Sequence, residues 1–378
     1  MAEHRSGIRT GRLNADSFGR EWADGGDFHS AHRKDRTQSN TMGGKCMPSL
    51  SFQCLSGPVI ALVTGLMLAA PAGAEQLVVS NYGVSANGMP FAVAMAKGYF
   101  KDEGANVTGI VTSDGGGTTL RNMLAGDVPY GEVNPSVVVA AIQKGADIKI
   151  VSDNVSTVAE FVWAVKPDSP IKTVKDLKGK KIAYTNPRST SQALATLLLQ
   201  SGGLKTEDAE LVKTGGFGEG VAALDTDLVD IAPIPEPLWS KFKDKYRPVA
   251  KATDILPPLE NVIGVVSESQ AKAKGDFIRA VIRARRKAVD FMIQHPDEAG
   301  DIVAKAYNLD PAVGRAAVTN LTTSRTQGMP YWGPGTIHMA GLQRMIDLQK
   351  SVGAISGDAD VSKMIDTSFL PDDIKGIQ

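Results

Sequence analysis

From Gln76 onward, short apolar runs alternate with amphipathic stretches. That alternation commits the chain to a mostly parallel sheet covered by helices. Gln76–Ser80 (QLVVS), Val107–Thr112, Val128–Val133, Ile148–Val151 and Glu160–Val165 read as strands. The spacing of Phe91, Ala94, Met95 and Gly98 predicts one face of a helix from about Pro90 to Lys97, which Gly98 ends. Thr118–Leu124 reads as a second helix, with Leu120, Met123 and Leu124 inward. Asn134-Pro135 has the form of an N-cap followed by proline at the first helical position.

The pattern breaks between Pro167 and Pro170 and then resumes. Thr173, with Asp176 three residues on, has the form of a cap opening a short helix. Lys181–Tyr184, Glu210–Lys213 and about Val229–Ala232 read as strands, Ser189–Gln200 and Glu219–Leu224 as helices. The apolar run Asn261–Ser267 (NVIGVVS) leads the chain back to the first unit. Helices dominate afterwards, over Asp276–Gln294, Pro296–Tyr307, Pro311–Thr322 and about Pro334–Val352. Phe277, Ala280, Ala284, Ala288 and Phe291 line one side of the first of these. Arg283, Arg285, Arg286 and Lys287 read as its solvated face. The elements predict two α/β lobes joined by crossings near 165–170 and 258–267. Residues 75–167 with 261–378 make lobe I and its C-terminal helices, and 168–260 make lobe II.

An uncharged run, PVIALVTGLMLAA at 58–70, precedes Pro71-Ala72-Gly73-Ala74-Glu75. An apolar core of that length closing on small-x-small has the form of a secretory signal and its cleavage site. It is shorter than the roughly 20 residues a helix needs to cross a bilayer. Residues 42–74 therefore read as a signal peptide, and the working chain as a periplasmic protein starting near Glu75. Residues 1–41 are polar and lack apolar periodicity. They read as a disordered extension, or as the result of a start assigned too early, with Met42 or Met47 as the real one.

The first 74 residues hold 8 of the 41 basic and 6 of the 41 acidic residues, which leaves 33 and 35. So even a balance argues against nucleic acid as a partner, because that needs a basic surface. Both cysteines, Cys46 and Cys54, precede the cleavage site, so the exported chain has no thiol nucleophile. His295 and His338 are the two histidines left, and they have no metal-ligand spacing. No metal, cofactor or catalytic residue is expected. Ser152-Asp153-Asn154, Ser169-x-x-Lys172 and Lys213-Thr214-Gly215 match β-lactamase strings, but in the wrong order, and Pro170 disfavours a helix at Ser169.

Ala94-Met95-Ala96-Lys97-Gly98-Tyr99-Phe100-Lys101-Asp102-Glu103-Gly104 resembles the opening of substrate-binding proteins of the nitrate/sulfonate/taurine and thiamine-pyrimidine type. Further matches follow in that family's order: Asp114-Gly115-Gly116-Gly117-Thr118, Ser169-Pro170-Ile171-Lys172, Asp176-Leu177-Lys178-Gly179-Lys180-Lys181-Ile182-Ala183 and Pro235-Glu236-Pro237. The resemblance covers roughly residues 76–350. It implies the type II periplasmic binding protein fold, an α/β fold whose two lobes hold a ligand between them. It also implies a small-molecule ligand and a partner in the transmembrane permease subunits of an ABC importer with a separate ATPase. The chain is expected to be a monomer.

Ligands of open α/β sheets sit beyond the carboxyl ends of the strands, so the loops there supply the candidates. The first loop offers Asn81, Tyr82, Ser85 and Asn87. The second, Ser113-Asp114-Gly115-Gly116-Gly117-Thr118, offers Ser113, Gly116, Gly117 and Thr118: glycines before a helix let backbone N–H groups approach an anion. Asp114 opposes an anion there unless it turns away or caps the helix, and the alternative is a plain tight turn. Asn134 and Ser136 form the third group. Asn186, Arg188, Ser189 and Thr190 form the fourth. The Arg188 guanidinium matches a carboxylate or sulfonate with two parallel hydrogen bonds, or else is an exposed surface arginine. Glu236, between two prolines, either meets a ligand amine or sits at the hinge surface. Tyr82, Phe217 and Trp332 are candidates to stack on a ring, or simply pack.

The leading expectation is a binding protein for a small, anionic organic solute such as a sulfonate, nitrate, taurine or carboxylate. The alternatives are an enzyme resembling the pyrimidine-synthase branch of the family, and a periplasmic ligand sensor. The missing cysteines and the export signal argue against the enzyme.

Overall fold

A computed structural model describes residues 74–113, 115–376 and 378. The expected signal segment up to Gly73, both cysteines and Asp114 lie outside the described residues. The described chain opens with β1 (Glu75–Val79), α1 (Met89–Lys97), the single turn α2 (Tyr99–Asp102), β2 (Val107–Val111), α3 (Gly116–Ala125), β3 (Gly131–Val133), α4 (Pro135–Ile142) and β4 (Ile148–Val155). It continues through β5 (Phe161–Val165), β6 (Lys181–Tyr184), α5 (Thr190–Ser201), β7 (Glu210–Lys213), α6 (Phe217–Asp225), β8 (Ala232–Pro235), α7 (Leu238–Phe242), β9 (Arg247–Lys251) and α8 (Ala252–Ile255). Then follow β10 (Val262–Ser267), α9 (Glu268–Ala273), α10 (Gly275–Gln294), α11 (Pro296–Tyr307), α12 (Pro311–Thr323), the short pair β11 (Arg325–Thr326) and β12 (Met329–Pro330), and α13 (Met339–Ser351).

Two sheet regions result. The first is five-stranded, in the order β2-β1-β3-β10-β4. β1 runs parallel to β2 and β3, and β10 enters antiparallel between β3 and β4. The second holds β8-β5-β9, all antiparallel, beside the parallel pair β6-β7, which a bridge from Ile182 to Ile231 joins to it. β5 was expected to complete the first unit, but it pairs with β8 and β9. The first crossing between the sheets is therefore 156–160, earlier than the proline break at 167–170. The break marks only the end of β5. The return crossing, between β9 and β10, falls near its expected place.

Each sheet is covered on both faces. In the first, Phe91, Tyr130, Ile278, Val281 and Met292 pack on one side, and Leu120, Val138, Ile150 and Ile346 on the other. In the second, the two-residue period of a strand sends Trp163 and Val165 of β5 to one core with Leu177, Leu194 and Leu198. It sends Ala164 to another, with Val221, Leu224 and Ile234. Helix α13 serves both sheets, with Leu342 and Ile346 in the first core and Met345 and Leu348 in the second.

Some helix faces differ from expectation. Leu124, expected inward, is exposed, and so is Met95, which was placed on one face with the buried Phe91 and Ala94. Arg285, assigned to the solvated face of α10, is buried at 2% exposure. It sits four residues after Val281 and seven before Met292, on the same stripe as those core residues. The cap signals were more faithful. Thr173 and Asp176 form a capping box over Val174–Leu177, and Gly98 ends α1 at φ 75°. No helix among the described residues is long and apolar enough to cross a membrane.

Candidate functional site

A cleft of about 380 Å³ opens between loops of the two sheet regions, in the size range of sites for small organic molecules. Four helices begin on it: α3 through Gly116, Gly117 and Thr118, α4 through Asn134 and Val137, α5 through Ser189, Thr190 and Ser191, and α6 through Phe217. The first N–H groups of a helix have no partner within it and carry its positive end. Here α3, α4 and α5 have no acidic residue in the first turn, and α3 and α4 have no side-chain cap. Ser189 does cap α5, its Oγ accepting from the Gln192 N–H at 3.2 Å.

The backbone that opens α3 needs its glycines. Gly115 sits at φ 82°, ψ 150°, a conformation that side chains other than hydrogen rarely allow. A Cβ on Gly116 would stand 2.8 Å from Asn134 Oδ1, so this turn is packed against the start of α4. That Oδ1 is buried with no hydrogen-bond partner among the described residues.

Arg188 is exposed on the rim at φ 64°, a left-handed conformation unusual for arginine, and its N–H donates to Gln192 Oε1 at 2.6 Å. Arg121, on α3, donates from Nη2 to Thr118 Oγ1 at 3.0 Å. Among the described residues neither guanidinium joins an ion pair with a carboxylate. Phe161 and Phe217 stand edge to face, 5.6 Å apart, on the cleft wall of the second sheet.

Of the residues nominated from sequence, the structure brings ten together here: Asn81, Asn87, Gly116, Gly117, Thr118, Asn134, Asn186, Arg188, Ser189 and Thr190. Five do not line the cleft. Tyr82 packs edge-on against Tyr307, and the Ser85 carbonyl accepts from the Tyr307 hydroxyl. Ser113 Oγ pairs with Thr119 Oγ1 at 2.8 Å, and Ser136 is buried in the first turn of α4. Glu236 is buried as well, so it is not the hinge-surface residue of the second reading, and it does not line this cleft. Its carboxylate accepts from the Ser240 N–H and hydroxyl and from Asn320 Nδ2, and burial raises its pKa. Trp332, suggested as a stacking ring, sits in the core against Tyr331.

Sequence reasoning missed Arg121, Phe161, Asn261 and Val262 on the cleft wall. Arg121 was legible one turn after Thr118. Phe161 and Asn261 border the two crossings, and only the fold brings crossings to a cleft.

Beneath the first sheet's side of the cleft lies a buried polar layer. Glu132 is fully buried and accepts from Asn87 Nδ2 at 3.0 Å and Asn154 Nδ2 at 2.6 Å, with Arg285 Nε 3.8 Å away. Burial pushes its carboxyl up to about 7, against the opposing pull of Arg285 and the two amides. Arg285 also donates to the Gly333 carbonyl and the Asn154 carbonyl. Glu160 accepts from Asn261 Nδ2 at 2.6 Å, and burial pushes it up to about 8. Asp153 pairs with His338 Nδ1 at 2.8 Å. Glu260 has no partner for either oxygen among the described residues, and burial keeps it protonated well above the usual carboxylate range.

The family model described as NMT1/THI5 like matches residues 85–299, more than half of the sequence. The chain belongs to the NMT1/THI5-like family. Among its relatives is the riboflavin-binding protein RibY of Chloroflexus aurantiacus, 23% identical over 75% of this chain and 82% of its own length. Another, named in Bacillus subtilis for binding aliphatic sulfonates, is 27% identical over 82% of this chain and 95% of its own. The periplasmic aliphatic sulphonate binding protein SsuA of Escherichia coli superposes with a TM-score of 0.64 at 21% identity, covering 77% of this chain and 91% of that one. This shows a periplasmic binding protein fold. The desulfurization enzyme DSZB shares that fold, with a TM-score of 0.56 at 15% identity and coverage of 78% and 97%.

Proposed function

We propose that this chain is the periplasmic solute-binding component of an ABC importer, and that it captures a small anionic organic solute in the cleft. One observation carries the reading: three helix starts with no acidic residue in the first turn and two arginines without carboxylate partners among the described residues meet in a single cavity between two sheets. Backbone N–H groups at helix starts favour an anion, and an arginine fork adds a paired contact to a carboxylate or sulfonate. Phe161, Phe217 and Val262 add apolar surface, which suits an organic solute better than nitrate.

The cleft lining is amide, hydroxyl, backbone, guanidinium and aromatic, which supports binding over catalysis. The family and the relatives named for binding riboflavin and sulfonates support the same reading. Closure of the two lobes on the solute would present the permease with a changed surface. We place lobe II between the two crossings, residues 161–251, and the remaining described chain in lobe I.

The test is a thermal-shift screen of the purified chain against sulfonates, carboxylates and heterocycles, with product analysis of each mixture. A true ligand at 100 times its Kd should add about 2.7 kcal/mol to the folded state. The anions should shift the melt and be recovered unchanged. Consumption of a compound by the chain alone would replace this reading with an enzymatic one.

A further inference from the structure

Two of the cleft asparagines are backed by buried carboxyl groups that do not themselves line the cavity. Asn87 is 6% exposed, and its Nδ2 donates to the Ser80 carbonyl at 3.1 Å and to Glu132 Oε1 at 3.0 Å. Both amide hydrogens are thereby engaged. A backbone carbonyl can only accept, so the Ser80 contact fixes which way the amide faces. Among the described residues the remaining polar atom, Oδ1, has no partner. Asn261 is 9% exposed, and its Nδ2 donates to Glu160 Oε1 at 2.6 Å, which leaves Oδ1 and one N–H for the cleft. Asn154 and Arg285 hold Glu132 from behind, and the Glu160 carboxyl is held in the first crossing between the sheets.

We propose that Glu132 and Glu160 are positioning residues that turn the carbonyl Oδ1 of Asn87 and Asn261 toward the ligand, so that the site selects solutes carrying N–H or O–H donors as well as a negative group. This rests on the reading of the cleft as a solute site. An anionic oxygen set against these two carbonyls is repelled, so the negative group belongs at the helix starts and Arg188. The first sheet's wall then takes the donor-bearing part. A donor-free anion leaves two largely desolvated carbonyls without hydrogen bonds when it fills the cleft, which penalises it relative to a donor-bearing analogue.

Matched probes test the selection. 4-Hydroxybenzenesulfonate is compared with 4-methoxybenzenesulfonate, and 2-aminoethanesulfonate with ethanesulfonate, by titration calorimetry on the full chain. The donor-bearing member of each pair should bind roughly tenfold tighter or more. In Glu160→Leu nothing holds the Asn261 amide from behind, so it is free to turn and the ratio should fall toward one.

A second measurement needs no variant. In the 15N-labelled wild-type chain, both side-chain amide protons of Asn87 and one of Asn261 should exchange slowly with solvent. Equal binding within each pair, or fast exchange at both Asn87 protons, overturns the proposal. Failure of every probe to bind counts instead against the anionic-solute reading, and the exchange rates then decide the orientation by themselves.

Discussion

The two walls of the cleft are built on opposite plans. The second sheet's wall is mostly local: Thr185 to Ser191 is one continuous segment from the end of β6 into the first turn of α5, hydroxyl-rich and capped at Ser189, with Phe161 and Phe217 beside it. The first sheet's wall is assembled. Asn87, Asn134 and Asn261 come from three separate parts of the chain, and the first and last rest on buried carboxyls from strand β3 and the first crossing. The contrast implies a division of labour. The local wall turns Asn186, Pro187 and Arg188 out to solvent. The assembled wall is braced, because moving Asn87 or Asn261 leaves a buried carboxyl without that partner.

The hardest way to break this contrast is to remove Arg285. Arg285→Met leaves Glu132 buried beside an apolar chain and frees the carbonyls of Asn154 and Gly333. Removing one partner of a buried pair costs about 3–5 kcal/mol, readable as a lower denaturant midpoint. A loss under about 0.5 kcal/mol, the level of an ordinary surface substitution, would show that the layer is not braced.

A comparable effect should appear with pH. Glu160 titrates near 4.5 when unfolded and is raised to about 8 when folded. Its stabilising contribution is thus complete below pH 4.5, falls as the unfolded chain releases its proton first, and is gone above about pH 8. The fall is on the order of 3–5 kcal/mol. Glu132, raised to about 7, and His338, raised by its bond to Asp153, act in the same direction. Glu103 and Asp225, lowered by their lysine and arginine partners and by Tyr246, lose their contributions only below their ordinary range and so fall outside this window. Denaturant melts from pH 5 to pH 9 should show a shallower decline in Glu160→Gln than in the wild type. Parallel curves would contradict the assignment.

What was legible in the sequence follows the same divide. The Thr185–Ser191 loop was readable because a cap, a proline and an arginine within a few residues carry their meaning locally. The glycines before α3 were readable for the same reason, and so were the capping box at Thr173 and the stop at Gly98. Glu132, Asn154, Glu160, Asn261 and Arg285 were not, since each is ordinary alone and acquires its role only when β3, β4, β10 and α10 pack together. Glu236 shows the converse error. Its two flanking prolines left a hinge-surface position as one of two readings, and the fold buried it against Asn320 of α12.

On the local wall the effects should be smaller and should fall on binding. Arg188→Ala removes an exposed side chain with no carboxylate partner among the described residues, so the melting temperature of the free chain should barely move. Affinity for an anionic ligand should drop by roughly 1.5–3 kcal/mol, the range for a charge-assisted hydrogen bond. Unchanged affinity in calorimetry would take the anion away from Arg188 and leave it to the helix starts.

The smallest effect is the most discriminating. Ser189 Oγ caps α5 through the Gln192 N–H and pairs with Ser191 Oγ at 2.9 Å, while its residue lines the cleft. Ser189→Ala should cost about 1 kcal/mol of stability, as loss of a helix cap does. If the hydroxyl serves only as a cap, affinity for a sulfonate should follow that small change and no more. If it also meets the ligand, affinity should fall in Ser189→Ala but return in Ser189→Thr, which keeps both the cap and the hydroxyl. A stable, tightly binding Ser189→Ala chain would mean that Thr190, Ser191 and the backbone alone hold this edge of the solute. The local wall would then owe its binding to helix geometry and not to its side chains.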